Sequence, residues 1–562
     1  MKNTYRFFAV VVLFLCFVRC DLLDVDPTGT YSESTAFASM DNVDLYVKYF
    51  YTLLYSNADI DIGSSCLMDD GVTDLLKYSW YGVTAGQVNR FFYEDNYVTE
   101  QSNFRSNWSS MYTYIRRFNE YFADVNYGYA DDLDKDELKI RTAEVRFLRA
   151  FAYQELVIRH GGVILRIDEE DVDSVDENNK ARSTEDECWD FIIGEYESAA
   201  EDLPESWDSD NTGRVTKGAA IGMKARAALY AERWDEAIEA CDSVLAMDCY
   251  SLLSGTTADD YYEIFTTVDN SELLLPVYYE QGLNAKQQYF DYYVCPPYDW
   301  VAAGISGSSV GAAVTPSDEY ASSFDILVDG SYEEFDWDNL DSYGNAPFDN
   351  REPRFYASIL YNGAAWKDRT LELYVGGNDG YMDFATTGQD NVHTSTTGYI
   401  IRKFAADDTS IDFTSILSGQ YWIEMRLAEI YLIRSEAYAQ NYEFANAYED
   451  LNTIRARVGL PELSVMNNWD DYLEDLQKER ICELGLEGHR YFDLIRWGKA
   501  VETLDGSRLH AIKITLSNGE YSYERVECDT QDRSFPEKYT IFPIPYTELQ
   551  NNTLCEQNDL WK

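Results

Sequence analysis

The strongest constraint on this chain is one helical pattern that occurs twice, far apart in the sequence. In Thr216–Leu245 the small residues Ala225 and Ala228 precede Trp234, Ala237, Cys241 and Leu245. In Tyr421–Leu460, Ser435 and Tyr438 precede Phe444, Ala447, Leu451 and Ile454. Small side chains let two helices approach and large ones fill the groove between them, which is the packing logic of tetratricopeptide-like hairpins. Apolar spacing around 41–57, 107–121 and 141–157 predicts further helices. Length alone allows several domains. Helical segments scattered from Asp41 to Gly498, with no Pro/Ser linker between them, point instead to one interwoven body. The expected fold is mainly α, a helical-repeat scaffold of about four helix pairs with an irregular, loop-rich ligand-binding face.

Between the two hairpins the texture changes. Residues 251–420 are rich in Gly, Tyr, Asp, Ser and Thr, with short β-like pieces at Leu273–Tyr279 and Tyr399–Phe404. A smaller loop-rich block covers Asp59–Val98. Loops held by a rigid frame are where binding usually resides.

The first residues read as an export signal. Lys2 and Arg6 precede the apolar run Phe7–Val18, which is too short to span a bilayer. Phe17-Val18-Arg19-Cys20 looks like a lipobox, with Arg19 where a small residue is usual. Residues 1–19 are therefore expected to be removed, leaving Cys20 as the lipid-attachment residue of a single domain over 20–562.

Charge excludes some partners. The chain has 45 Lys+Arg against 100 Asp+Glu, a net charge of −55. Such a field repels nucleic acid and anionic polymers. The acidic run Asp168–Asp176 reads as a solvated loop. Ten cysteines show neither a disulfide framework nor a CxxC metal site, and the pairing state of the eight beyond Cys16 and Cys20 stays open. Four isolated histidines (His160, His393, His489, His510) lack metal-ligand spacing, so no metal-site residues and no cofactor are expected, while the question of a structural metal ion stays open. Gly307–Gly311 fits GxSxG, but AAGISGSSVGAAV is a small-residue loop without the strand and helix a nucleophile elbow needs. Nothing here argues for an enzyme.

Gln477–Gly498 (QKERICELGLEGHRYFDLIRWG) opens as an amphipathic helix on Leu473, Leu476, Ile481 and Leu484. It breaks at Gly485 and Gly488, then resumes with Tyr491, Phe492, Leu494, Ile495 and Trp497. Arg480, Glu483, Glu487, Arg490, Asp493 and Arg496 are placed to form charge-assisted pairs. This segment resembles a signature of the SusD/RagB family, nutrient-binding surface lipoproteins. So do Cys20–Phe37, Arg141–Leu165, the two hairpins and the tail Phe542–Trp561, in the same order. The resemblance implies an outer-membrane lipoprotein facing outward. It also implies a TonB-dependent, SusC-like transporter as partner, and capture of an oligosaccharide by aromatic stacking and hydrogen bonds. A RagB-like peptide binder is the second reading and a surface hydrolase the third.

Aromatics make up 15% of the chain, including 46 Tyr and 12 Trp. A flat exposed ring can cover the C–H face of a pyranose while amides and charges bond its hydroxyls. Trp108, Trp189, Trp234, Trp422 and Trp497 lie in helix-periodic stretches and are expected in the core. The binding candidates are Tyr78, Trp80 and Tyr81, then Tyr298 and Trp300 behind Pro296-Pro297, then Trp366. Loops in comparable regions form the aromatic platform in the family it resembles. Asn89, Arg90 and Asn103 are the candidate polar partners.

Overall fold

The computed structural model describes residues 33–58, 60, 67–78, 82–102, 104–170, 174, 178–280, 288–302, 311–381, 395–408 and 418–562. The export signal, Cys20, Cys66, His393 and Ser309 of the GxSxG sequence lie outside the described residues.

Helices dominate, as the periodicity predicts. The repeat body consists of α1 (Met40–Phe50), α3 (Trp108–Asn126), α4 (Lys135–His160), α5 (Glu185–Asp202), α6 (Lys217–Tyr230), α7 (Trp234–Leu245), α10 (Leu427–Gln440), α11 (Phe444–Arg457) and α12 (Trp469–Leu484), with α13 (Arg490–Arg496) behind it. From α3 to α7 each helix packs on its predecessor; α10 then packs on α7, α11 on α10, and α12 on both α10 and α11. The 251–420 block is thus an insertion that leaves the stack continuous. Starts are set by side-chain caps: Asp134 accepts from the backbone of Asp136 and Glu137, Thr184 forms a capping box with Glu187, and Thr216 accepts from Ala219 N–H.

The repeated sequence pattern has a repeated turn. Between α6 and α7, Glu232 adopts φ 57° and Arg233 N–H donates to Ala228 O at 2.8 Å. Between α10 and α11, Tyr442 adopts φ 63° and Glu443 N–H donates to Tyr438 O at 2.8 Å. Each left-handed residue closes one helix and aims the next back along it. Ala225 and Ala228 are fully buried, and Ser435 packs so closely that its hydroxyl donates to Ala447 O at 2.7 Å.

Every sheet among the described residues has two strands. The neck of the insertion is β2 (Leu273–Val277) paired antiparallel with β6 (Trp422–Arg426), so the second hairpin segment begins as a strand and becomes helix at Leu427. The hairpin β7 (His510–Ser517) and β8 (Glu520–Glu527) is closed by Asn518-Gly519, both at positive φ, in uninterrupted register.

The charged residues of Gln477–Gly498 reach further than the sequence suggests. Arg480 and Arg496 do meet Asp493, at 2.6 and 2.9 Å. Glu483 and Glu487 instead grip the neck. Arg426, 1% exposed, donates to Glu483 at 2.6 Å, Glu487 at 2.7 Å and Glu272 at 2.8 Å. Arg354, Arg457 and Lys403 complete the knot. Burial opposes ionisation of Glu483, but the guanidiniums of Arg457, Arg426 and Arg354 hold its carboxyl well below the ordinary range, and Arg426 and Lys403 do the same for Glu487. Arg490 crosses to Asp74 at 2.9 Å. In the acidic run, Asp168–Glu170 and Ser174 are described, and Glu170 pairs with Arg166 and Lys180.

Cys188, Cys241, Cys249, Cys295, Cys482, Cys528 and Cys555 are free thiols, and all but Cys249 are buried. Burial pushes the Cys188 and Cys555 thiols up to about 11, so they pack as small hydrophobes. His160 is wedged against Trp108, and burial lowers it to about 3; burial likewise lowers His489 to about 4. No group of three or more metal-ligating side chains occurs among the described residues. No described helix is long and apolar enough to cross a membrane.

Candidate functional site

Two of the predicted aromatic regions converge on one short strand. Tyr78 ends β1 (Leu76–Tyr78), which pairs antiparallel with β3 (Val314–Pro316), Tyr78 opposite Val314. Just before β3, Ala312 N–H donates to Cys295 O at 3.0 Å and Ala313 N–H to Tyr293 O at 2.9 Å. These bonds hold α8 (Phe290–Val294) and α9 (Pro297–Ala302) against the strand. Pro297 opens α9, where its fixed φ suits the first helical turn and its missing N–H costs nothing.

On α9, Asp299 is the anchor. Its carboxylate accepts the indole N–H of Trp366 at 2.9 Å and the guanidinium of Arg369 at 2.6 Å. Trp366 and Arg369 belong to the hairpin β4 (Ala365–Trp366) and β5 (Arg369–Thr370). Arg369 also donates through both terminal nitrogens to Asp379, at 2.7 Å each. Burial works against the Arg369 charge, yet its bonds to Asp379 and Asp299 raise its pKa above the ordinary arginine value. The clamped guanidinium lies over the Tyr298 ring, 5.4 Å from its centroid. Tyr298 is half-buried, and its N–H faces Asp379 at 3.4 Å.

The helix that precedes α9 carries an aromatic ledge. Tyr289, Tyr292 and Tyr293 contact one another with centroids 5.3–6.3 Å apart; Tyr289 is 42% exposed and the other two are half-buried. The result is a cluster of mutually packed rings on α8, one short turn before the helix that carries Tyr298 and Asp299. It suits a ligand with alternating apolar faces and hydroxyls.

Other predicted residues fall elsewhere. Tyr78 is 4% exposed, and a Cβ at Gly71 would meet its ring at 2.2 Å, so it packs on bare backbone rather than offering a face. Trp366, 3% exposed, holds the clamp through Asp299 and is not a surface ring. The loop expected around Asn89 and Arg90 is a helix, α2 (Gly82–Tyr93). Asn89 is buried there, and its amide nitrogen has no hydrogen-bond partner among the described residues. Arg90 faces outward, paired with Glu94 at 2.8 Å and stacked on Tyr97. Trp80, Tyr81 and Asn103 lie outside the described residues, as does the side chain of Trp300 on α9.

The sequence reading missed Tyr289, Tyr292, Tyr293 and Arg369; the YFDYY cluster at 289–293 was the available signal. Trp108, Trp189 and Trp422 are core, at 5%, 3% and 2% exposure. Trp234 and Trp497, expected with them, are only half-buried. A hollow of about 730 Å³ between α3 and the C-terminal segment does not adjoin this face. It is a polar trough lined by Arg116, Glu120, Arg166 and Glu170, whose charges are already paired.

Comparison with known proteins agrees with this architecture. A family model described as "SusD family" matches residues 271–561, just over half of the chain. A second, described as "Starch-binding associating with outer membrane", matches 70–229. The chain is similar to SusD-like protein P25 of Formosa agariphila, with 21% identity across 98% of this chain and 97% of that protein. Among solved structures it is similar to a SusD-like protein from Bacteroides fragilis, with TM-score 0.77 and 26% identity, covering 93% of this chain and 98% of that one. It is also similar to a SusD-like carbohydrate binding protein from the same organism, with TM-score 0.74 and 20% identity over 92% and 99% of the two chains.

Proposed function

Because the chain belongs to the SusD family, we propose that it is a surface glycan-binding protein that captures an oligosaccharide on the α8–α9 face and passes it to a SusC-like, TonB-dependent transporter. The observation that carries this reading is the Arg369 clamp. Asp299 and Asp379 fix a guanidinium over Tyr298, on the helix that follows the ring cluster Tyr289, Tyr292 and Tyr293. Rings immobilised before binding lose little entropy when a sugar stacks on them. The carbohydrate-binding relative from Bacteroides fragilis and the family description that mentions starch support the ligand class. In this role Cys20 carries the lipid that tethers the chain to the outer membrane, facing the exterior, and the protein makes or breaks no bond itself.

The net charge of −55 favours a second ligand class, neutral or cationic peptides, as in a RagB-like protein. A glycan array read beside a peptide library separates the two. The glycan reading expects saturable binding to one or a few related neutral glycans, no peptide binding, and no new reducing ends after prolonged incubation. Peptide binding without glycan binding would overturn it, and release of reducing ends would restore the hydrolase.

A further inference from the structure

Trp234 and Trp497, expected in the core but found half-buried, share one place with a third half-buried indole, Trp469. Trp234 at the start of α7, Trp469 at the start of α12 and Trp497 just after α13 line a cavity of about 400 Å³, whose far wall is formed by the end of α4 and by Thr540-Ile541. The tail is pinned there: Phe542 N–H donates to Arg159 O at 2.7 Å, and Trp561 Nε1–H to Ile541 O at 2.7 Å. The cavity lies between the two largest apolar clusters of the described residues, with Trp234 packed against one and Trp469 and Trp497 against the other. All three indoles therefore have a fixed side in the core and a side on the cavity.

The polar lining is equally fixed. Glu436, 1% exposed, accepts the indole N–H of Trp497 at 2.9 Å and a guanidinium N–H of Arg496 at 2.7 Å. Arg496 is in turn held by Asp493 and lies 4.7 Å from the Trp497 ring. Gln440, half-buried at the end of α10, adds an amide to the lining. Glu185 and Glu232 add carboxylates, while the lining cation, Arg496, is already neutralised. That charge pattern disfavours an anionic ligand. Indoles at the wall, an amide and carboxylates able to accept hydroxyl hydrogens, and a volume within the range of about 300–1,000 Å³ typical of small-molecule sites together describe a saccharide pocket.

We infer that this cleft is a second carbohydrate site, taking a short neutral oligosaccharide end between Trp234, Trp469 and Trp497, separate from the α8–α9 face. The inference takes its ligand class from the proposed function but not its location. A neutral glycan longer than one site then contacts the protein at two points, and the apparent affinity rises with chain length through effective concentration.

The test is fluorine NMR of the whole lipid-free protein labelled with 5-fluorotryptophan, with signals assigned by single Trp→Phe variants. Maltohexaose, laminarihexaose, cellohexaose and xylohexaose are each titrated to millimolar concentration, with hexagalacturonate as the anionic control. At least one neutral hexaose should move the Trp234 and Trp469 signals together, with one midpoint, while hexagalacturonate leaves them still. Gln440→Trp, which fills the cleft without removing a core residue, should abolish those shifts; Tyr298→Ala should leave them in place. No shift from any neutral probe, shifts that survive Gln440→Trp, or shifts lost in Tyr298→Ala would each overturn the second site. Cleft shifts with the overall glycan affinity unchanged in Tyr298→Ala would instead sink the α8–α9 reading and leave this one standing.

Discussion

Two arginines in this molecule have the same kind of partners and opposite surroundings. Arg426 is clamped by Glu272, Glu483 and Glu487 with 1% of its side chain exposed, and these carboxylates are shared with Arg354, Arg457 and Lys403. Arg369 is clamped by Asp299 and Asp379 with 22% exposed, and it lies over the half-buried ring of Tyr298. In the first the whole binding capacity of the guanidinium is spent inside the protein, so it can only hold structure together. In the second the carboxylates fix the group and its ring at the border of water, where another molecule can meet them. Carboxylate clamping is common to both; access distinguishes a seam from a site.

The comparison breaks most sharply at Arg426. Arg426→Ala leaves Glu272, Glu483 and Glu487 short of a buried partner and should cost about 3–5 kcal/mol, read from denaturant unfolding. A loss below about 1 kcal/mol would mean that the remaining cations suffice. Next come Trp80 and Trp300, the loop indoles that the sequence nominates for binding. Replacing both Trp80 and Trp300 with Ala should weaken glycan binding by at least about tenfold, or about 1.4 kcal/mol, with the helical circular dichroism unchanged. Unchanged affinity places the site elsewhere. Trp366→Phe sharpens the contrast from beneath. It removes the donor to buried Asp299 and should lower stability by about 1–3 kcal/mol, with a smaller effect on affinity than Tyr298→Ala.

Acid should weaken the seam. Glu483 and Glu487 have depressed pKa values in the folded state. Their contribution is therefore complete above the unfolded glutamate value of about 4.3 and is lost as pH falls below it. Unfolding free energy measured from pH 6 downward should drop below about pH 4.5, with a shallower slope in Glu487→Gln. An equal slope in that variant would contradict the assignment.

Much of the fold was legible because helical repeats advertise themselves locally. Ala225 and Ala228 against Trp234, and Ser435 against Phe444, declare hairpins from spacing alone, and both appear with matching turns at Glu232 and Tyr442. The ion knot was legible only by half. The charges of Gln477–Gly498 could be seen, but their partners Arg354, Lys403 and Arg426 lie on other elements, and no periodicity links them. The site was least legible, because its residues come from loops and short elements whose contacts are non-local. Tyr298 was found by its neighbours Pro296 and Pro297, whereas Arg369 had nothing to mark it until Asp299 and Asp379 closed on it. Burial misled in both directions: Tyr78 and Trp366 sank into the core, and Trp234 and Trp497 surfaced. An aromatic residue in a loop and one on a helix look alike until the packing around each is known.

The most direct test of the glycan-binding face is a calorimetric titration of the array-selected oligosaccharide into wild type and Tyr298→Ala, each with its melting temperature recorded. Affinity should fall by at least about tenfold with little change in melting temperature, because Tyr298 is a half-buried ring held at the surface rather than a core residue. Full affinity in Tyr298→Ala, with the protein folded, would contradict it.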